Sequence, residues 1–157
     1  MTLTELLLAS IDEAYDKRSW HGTNLRGSLR GVTLDQAAWR VRPDRHNIWE
    51  LMVHAAYWKY DIRRRLTGEK SHSFAIEGSN FWTRPLEGTP GEWRRDLRLL
   101  EDEHAKLRAA VAAFPASRWT RQAPGKPFNF GGLVRGVAAH DLYHAGQIQL
   151  LKRLQGS

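Results

Sequence analysis

The sequence predicts an all-α protein, a four-helix bundle with a short extra helix and long loops. Three observations carry this. Apolar residues recur at three- and four-residue steps in four separate stretches. Proline and glycine punctuate the chain between those stretches. No stretch carries a convincing period-two alternation of a strand.

The first stretch covers roughly residues 2–19. Leu3, Leu6, Leu7, Ser10, Ile11 and Ala14 form its stripe, Thr2 or Thr4 suits its cap, and it ends before His21-Gly22. Residues 20–46 are less regular. Leu34 to Trp39 fit a short helix introduced by Thr33, and Pro43 breaks it. The second long helix starts near Asn47, a good N-cap residue, and Gly68 suits its end. Ile48, Leu51, Met52, Ala55, Trp58, Ile62 and Leu66 make its stripe. His54 falls between Leu51 and Trp58, on the same inward face.

Residues 69–88 read as an irregular loop with Gly78, Pro85 and Gly88, carrying Phe74, Phe81 and Trp82. Loops of that length in compact domains are often functional. The third helix follows Thr89-Pro90, a cap with proline in the first turn. Its seam is Trp93, Leu97, Leu100, His104, Leu107, Val111 and Phe114, and Pro115 ends it. A turn-rich connection leads to the fourth helix, from about Phe130 to Leu154. Leu133, Val137, His140, His144, Ile148 and Leu151 form that seam.

The chain has 157 residues, the size of one ordinary domain, so a single domain over 1–157 is expected. There is no cysteine, which excludes disulfides, thiolate metal sites and a cysteine nucleophile. Any metal must be held by nitrogen and oxygen. The opening residues MTLTELLLASIDEAYDKR lack a basic n-region, and Glu5, Asp12 and Glu13 break their apolar run. No signal peptide is expected, and no stretch reaches the roughly 18 apolar residues of a membrane span. A cytoplasmic location is expected. The net charge is +7, but acids are interleaved among the arginines, and only Arg63, Arg64 and Arg65 form a run. That pattern reads as a solvated surface, with no membrane partner and nucleic acid disfavoured.

His140 and His144 lie four residues apart, which stacks both rings on one helix face about 6 Å apart along the axis. Both replace apolar seam residues, as His54 does on the second helix. A buried polar ring without partners costs roughly 1 to 3 kcal/mol. One divalent cation turns three such costs into binding, which makes His54, His140 and His144 the candidate metal ligands. The pattern differs from the zinc-protease motif, because Asp141 follows His140 and no glutamate lies between the histidines. Asp141 points about 100° away from His140 and reads as an exposed or helix-pairing acid. His104 is a candidate fourth contact, outer partner or substrate contact. His21, His46 and His72 fall in apparent loops and read as surface residues.

Two segments carry a resemblance. NIWELMVHAAYWKYDIRRRLTGEK resembles the second helix of the DinB-like and YfiT-like metalloenzymes of the DinB superfamily. GGLVRGVAAHDLYHAGQIQLLKR resembles their last helix, with its H-x-x-x-H-x-G-Q-I signature. The order of parts agrees over nearly the whole chain. The resemblance implies up-down-down-up connections, often a homodimer, and His54, His140 and His144 as ligands. It gives Gly146 and Gln147 structural roles rather than ligation. It also implies thiol-dependent transfer or isomerisation, or hydrolysis, of a small-molecule substrate.

Three neutral nitrogen ligands leave coordination positions open for water, a thiolate or a substrate oxygen. Zinc or nickel suits the set best, with iron, cobalt or manganese as further options. The expected activity is a metal-dependent hydrolase or a transferase using a low-molecular-weight thiol. Glu50, Glu101 and His104 are the candidate acid–base residues, though helix-surface roles suit both glutamates. Tyr57 and Tyr143 lie near the ligands, where ring packing is their plainer role. The alternative is a non-catalytic metal- or ligand-binding module of a stress response.

Overall fold

A computed structural model describes residues 1–84 and 87–156. Six α-helices appear in chain order: α1 (Leu3–Tyr15), α2 (Leu25–Ser28), α3 (Leu34–Ala38), α4 (Ile48–Thr67), α5 (Pro90–Ala113) and α6 (Phe130–Leu154). A 3₁₀ turn spans Ala116–Arg118. Among the described residues there is no strand, only an isolated bridge between Gln122 and Asn129. Pro85, expected as a breaker of the long loop, lies outside the described residues.

The caps explain the boundaries. Thr2 caps α1 in a reciprocal pair with Glu5, and Thr89 does the same for α5 with Glu92. The Asn47 side chain accepts from the Glu50 N–H at the start of α4, and Asn129 accepts from the Gly132 N–H at the start of α6. Gly68 ends α4 at φ +78°, a left-handed conformation that glycine adopts without a Cβ clash. The first helix is shorter than its apolar pattern suggests. Both the Asp16 and Lys17 N–H groups donate to the Asp12 carbonyl, and the Asn24 side chain then takes the Lys17 carbonyl. Those bonds close the helix at Tyr15. The short α2 has no sequence pattern long enough to announce it.

Contacts fix the directions of the four long helices. Trp49 meets Asp96 and Lys59 meets His104, so α4 and α5 run parallel. Asp12 pairs with Arg108 and Tyr15 stacks on His104, so α1 runs antiparallel to α5. His54 faces His140 and His144, and Ile62 shares a cavity with Leu133, so α4 and α6 are antiparallel. The bundle is therefore up-down-down-up, as the resemblance implies.

The core has two apolar clusters stacked along the bundle axis. One contains Tyr15, Trp49, Met52, Trp93, Leu100 and Ile148, and the other Leu7, Ile11, Ile62, Leu107, Val111 and Val134. At their junction each long helix contributes a buried polar residue: Tyr15, Lys59, His104 and Asp141. The three seam histidines sit at the same level, between α4 and α6.

Candidate metal centre

The antiparallel pairing of α4 and α6 brings His54 opposite His140 and His144. The Nε2 atoms of His54 and His144 lie 3.0 and 2.9 Å from Nε2 of His140. His54 and His144 are buried and His140 is partly buried. One nitrogen from each ring falls within 4.8 Å of the others, the spacing of a shared ion.

The outer nitrogens decide the tautomers. His54 Nδ1 donates to the Asn80 carbonyl at 2.7 Å, and His144 Nδ1 donates to Gln147 Oε1 at 2.6 Å. Both Nε2 atoms therefore present lone pairs, and both aim at His140. That ring carries one proton when neutral. Placed on Nε2, the proton serves one neighbour well and leaves Nδ1, which is buried with no partner, unsatisfied. Placed on Nδ1, it leaves three lone pairs converging. Hydrogen bonding among the rings cannot use all three Nε2 atoms, whereas a divalent cation accepts all three lone pairs at once, with the His140 proton then on Nδ1. The donor set fits zinc, nickel or another ion that accepts imidazole nitrogen.

Burial keeps the rings in the form a cation needs. It lowers His54 to about 4, against the opposing bond to Asn80. Burial, then the neighbouring histidines and Lys59, lowers His140 to about 3. Burial also lowers His144. All three are neutral at pH 7.

The long loop covers this centre. Phe81 is sandwiched between His46 and His54, with ring centroids 3.8 Å apart on each side and planes within 3° and 7°. His46 is exposed, as expected of a surface residue, and stacks one ring face on Phe81 behind the ligand His54. Asn80, which holds His54, has φ +67°, and its side chain accepts from the Trp58 indole at 3.2 Å. Asparagine tolerates that left-handed conformation better than most residues. Neither Asn80 nor Phe81 carries a sequence signal of this role beyond its place in an aromatic loop.

The acid–base candidates have other partners. Glu50 is clamped by Arg40, the Arg84 N–H and His46. Burial alone would raise its pKa, but these bonds outweigh it and hold the carboxylate down to about 2. Glu101 pairs with Arg26 at 2.5 Å on a half-exposed face. His104 stacks on Tyr15 with centroids 3.7 Å apart and accepts from Lys59 at 3.4 Å. No contact of any of the three with the histidine cluster is present among the described residues. Tyr57 packs among Trp58, Phe74 and Trp82, while Tyr143 is exposed with its ring edge-on to His144.

The structure decides between the two readings of Asp141 and corrects the surface reading of Arg63. Asp141 is buried and pairs with the equally buried Lys59, so it is a helix-pairing acid and not an exposed one. Arg63, read within a solvated run, is buried against Glu69 and Glu103.

A cavity of about 450 Å³ adjoins the histidines. His54 and His140 are among its walls, with Trp58, Ile62, Leu133 and Val137. Its volume falls in the range of small-molecule sites, roughly 300 to 1,000 Å³. No helix is long and apolar enough to cross a membrane among the described residues. A family model described as the DinB superfamily matches residues 17–148. No curated protein and no solved structure gives a match.

Proposed function

Because the chain belongs to the DinB superfamily, we propose that it is a metal-dependent enzyme acting on a small molecule, either a hydrolase or a thiol-dependent transferase. The observation that carries this is the convergence of three imidazole Nε2 atoms, two with fixed lone pairs, beside a cavity of small-molecule size. A divalent ion held there supplies Lewis-acid activation of a water, a thiol or a carbonyl oxygen.

The chain's own residues do the rest. Asn80 and Gln147 fix the orientation of two ligand rings. Phe81 lies flat on His54 and shields it from solvent. Among the described residues the cavity wall includes no carboxylate or lysine, and the chain has no cysteine, so the nucleophile arrives with the ligands as water or as the thiol of a co-substrate. The same lack of a carboxylate beside the cluster favours a second reading, a non-catalytic metal- or ligand-binding module.

Elemental analysis of tag-free protein tests the shared premise. About one zinc or nickel per chain in the wild type, and almost none in His144→Ala, is expected. Loaded protein is then offered simple esters, amides and electrophiles with small thiols. Metal-dependent turnover that disappears in His144→Ala supports the enzyme. Stoichiometric metal without turnover supports the binding module, and no metal uptake removes both.

A further inference from the structure

The cavity beside the histidines is a groove between two antiparallel helices. On α4 it is lined by His54, Trp58 and Ile62, and on α6 by His140, Gly136 and Gly132. Each set is spaced by four residues, so each traces one face of its helix over about 12 Å. Because the helices are antiparallel, both faces lead away from the histidines in the same direction. Leu133 and Val137 complete the wall on α6.

Beyond the histidines the groove offers almost nothing polar. Among the described residues no charged side chain lines it, and Asn80 adds one uncharged polar side chain to the wall. The Trp58 indole N–H already donates to Asn80 Oδ1. A charged group placed there would lose its hydration without meeting an opposite charge. An apolar group would displace water from apolar walls.

Gly136 is an exposed position on the groove wall that adds no side chain to it. Glycine within a helix is less stable than alanine, so its position asks for a reason. Gly131 has one in the Trp119 carbonyl, 3.4 Å from where its Cβ would lie, and Gly132 has one in the capping Asn129 oxygen at 3.0 Å. A Cβ on Gly136 would meet nothing within 4 Å. What its missing side chain leaves is open space bordering the cavity.

We propose that this groove selects substrates with an uncharged, apolar body of aromatic size, seated along Trp58 and Gly136 with one polar reactive end at the histidines. The assignment of that reactive end rests on the metal-centre reading above, while the apolar body does not. Gly136 is then a specificity-determining residue.

The test measures binding of neutral 2-naphthol and of 2-naphthoate to wild type, Gly136→Ala and Gly136→Leu, each zinc-free and zinc-loaded. 2-Naphthol is expected to bind the zinc-free wild type. Gly136→Leu should weaken that binding at least tenfold, with unchanged circular dichroism. Should Gly136→Leu fail to fold, Gly136→Ala, which favours the helix, should still weaken binding measurably. Failure of 2-naphthol to bind the wild type, or equal binding to the folded glycine variants, overturns the proposal. 2-Naphthoate should gain at least tenfold on zinc loading. Absence of that gain while 2-naphthol still binds sinks the metal reading and leaves the apolar groove standing. Zinc uptake without 2-naphthol binding does the reverse.

Discussion

Lys59 of α4 and Asp141 of α6 form an ion pair at the junction of the two apolar clusters, both almost completely shielded from solvent. The pair joins the two helices that carry the histidines, five residues after His54 and one after His140. Burial pushes the Asp141 carboxyl up, and the Lys59 ammonium beside it works against that shift. Removing one member of such a pair strands the other charge in the core, at a cost of roughly 3 to 5 kcal/mol. Replacing both by apolar residues avoids that. Lys59→Met should therefore lower stability by about that amount, and Lys59→Met with Asp141→Leu should recover most of it. Urea denaturation of the two single variants and the double gives the coupling. Additive losses would mean that the two charges do not act as a unit.

His104 faces that pair from α5. It accepts from Lys59 and stacks on Tyr15 of α1, with Asp141 completing the layer from α6. Burial first, and then the charges of Lys59, Arg108 and Lys17, lower its pKa to about 3. The unfolded chain takes up a proton near pH 6.5 that the folded chain refuses until about 3. The stability from a neutral His104 is therefore complete above 6.5 and lost as pH falls through that window. The slope is at most about 1.4 kcal/mol per pH unit. His104→Phe keeps a ring against Tyr15 and removes this linkage. Urea stabilities at pH 7, 6, 5 and 4 should fall more steeply in the wild type than in the variant. The remaining histidines are common to both proteins and cancel. Parallel profiles would show that His104 protonates freely in the fold.

The long helices and the three histidines were legible because each sits on a periodic stripe. The polar layer was legible only in part. Met52, Ala55, Lys59, Ile62 and Leu66 keep the three-and-four spacing, so the pattern does place Lys59 inward. A lysine among YWKY nonetheless reads as solvated, since lysine is almost never buried unless paired. Its partner lies 82 residues away. Val137, Asp141, His144 and Ile148 repeat the same spacing, which reveals Asp141 once α6 is seen to be covered on two sides. The roles of Asn80 and Phe81 were not legible. They depend on where an irregular loop crosses α4, which local periodicity does not encode.

Asn80 joins backbone strain to ligand orientation. Its φ of +67° places its carbonyl on His54 Nδ1. Glycine adopts that conformation freely, while a β-branched residue resists it at roughly 1 to 3 kcal/mol. Asn80→Gly should hold the carbonyl in place and keep the metal affinity within a few-fold of wild type. Asn80→Val should lower the melting temperature and weaken zinc at least tenfold by freeing the His54 ring. Competition titration against a chromophoric chelator reads both. Equal affinity in the two variants would show that the Asn80 carbonyl does not orient His54.

Gln147 gives the corresponding test on α6. Its side-chain oxygen accepts from His144 Nδ1 at 2.6 Å, three residues along the same helix. The glutamine of the H-x-x-x-H-x-G-Q-I signature thereby keeps the proton on Nδ1 and the lone pair on Nε2. Loss of such an outer partner costs roughly 10- to 100-fold in metal affinity. Gln147→Leu keeps the helix and approximate volume but offers no acceptor, so that loss is expected, with little change in thermal stability of the metal-free protein. Gln147→Glu retains an acceptor at the same position and should bind zinc at least as well as wild type. The chelator titration separates this from a packing role. A structural glutamine would show a drop in apo stability for leucine and no recovery of affinity with glutamate.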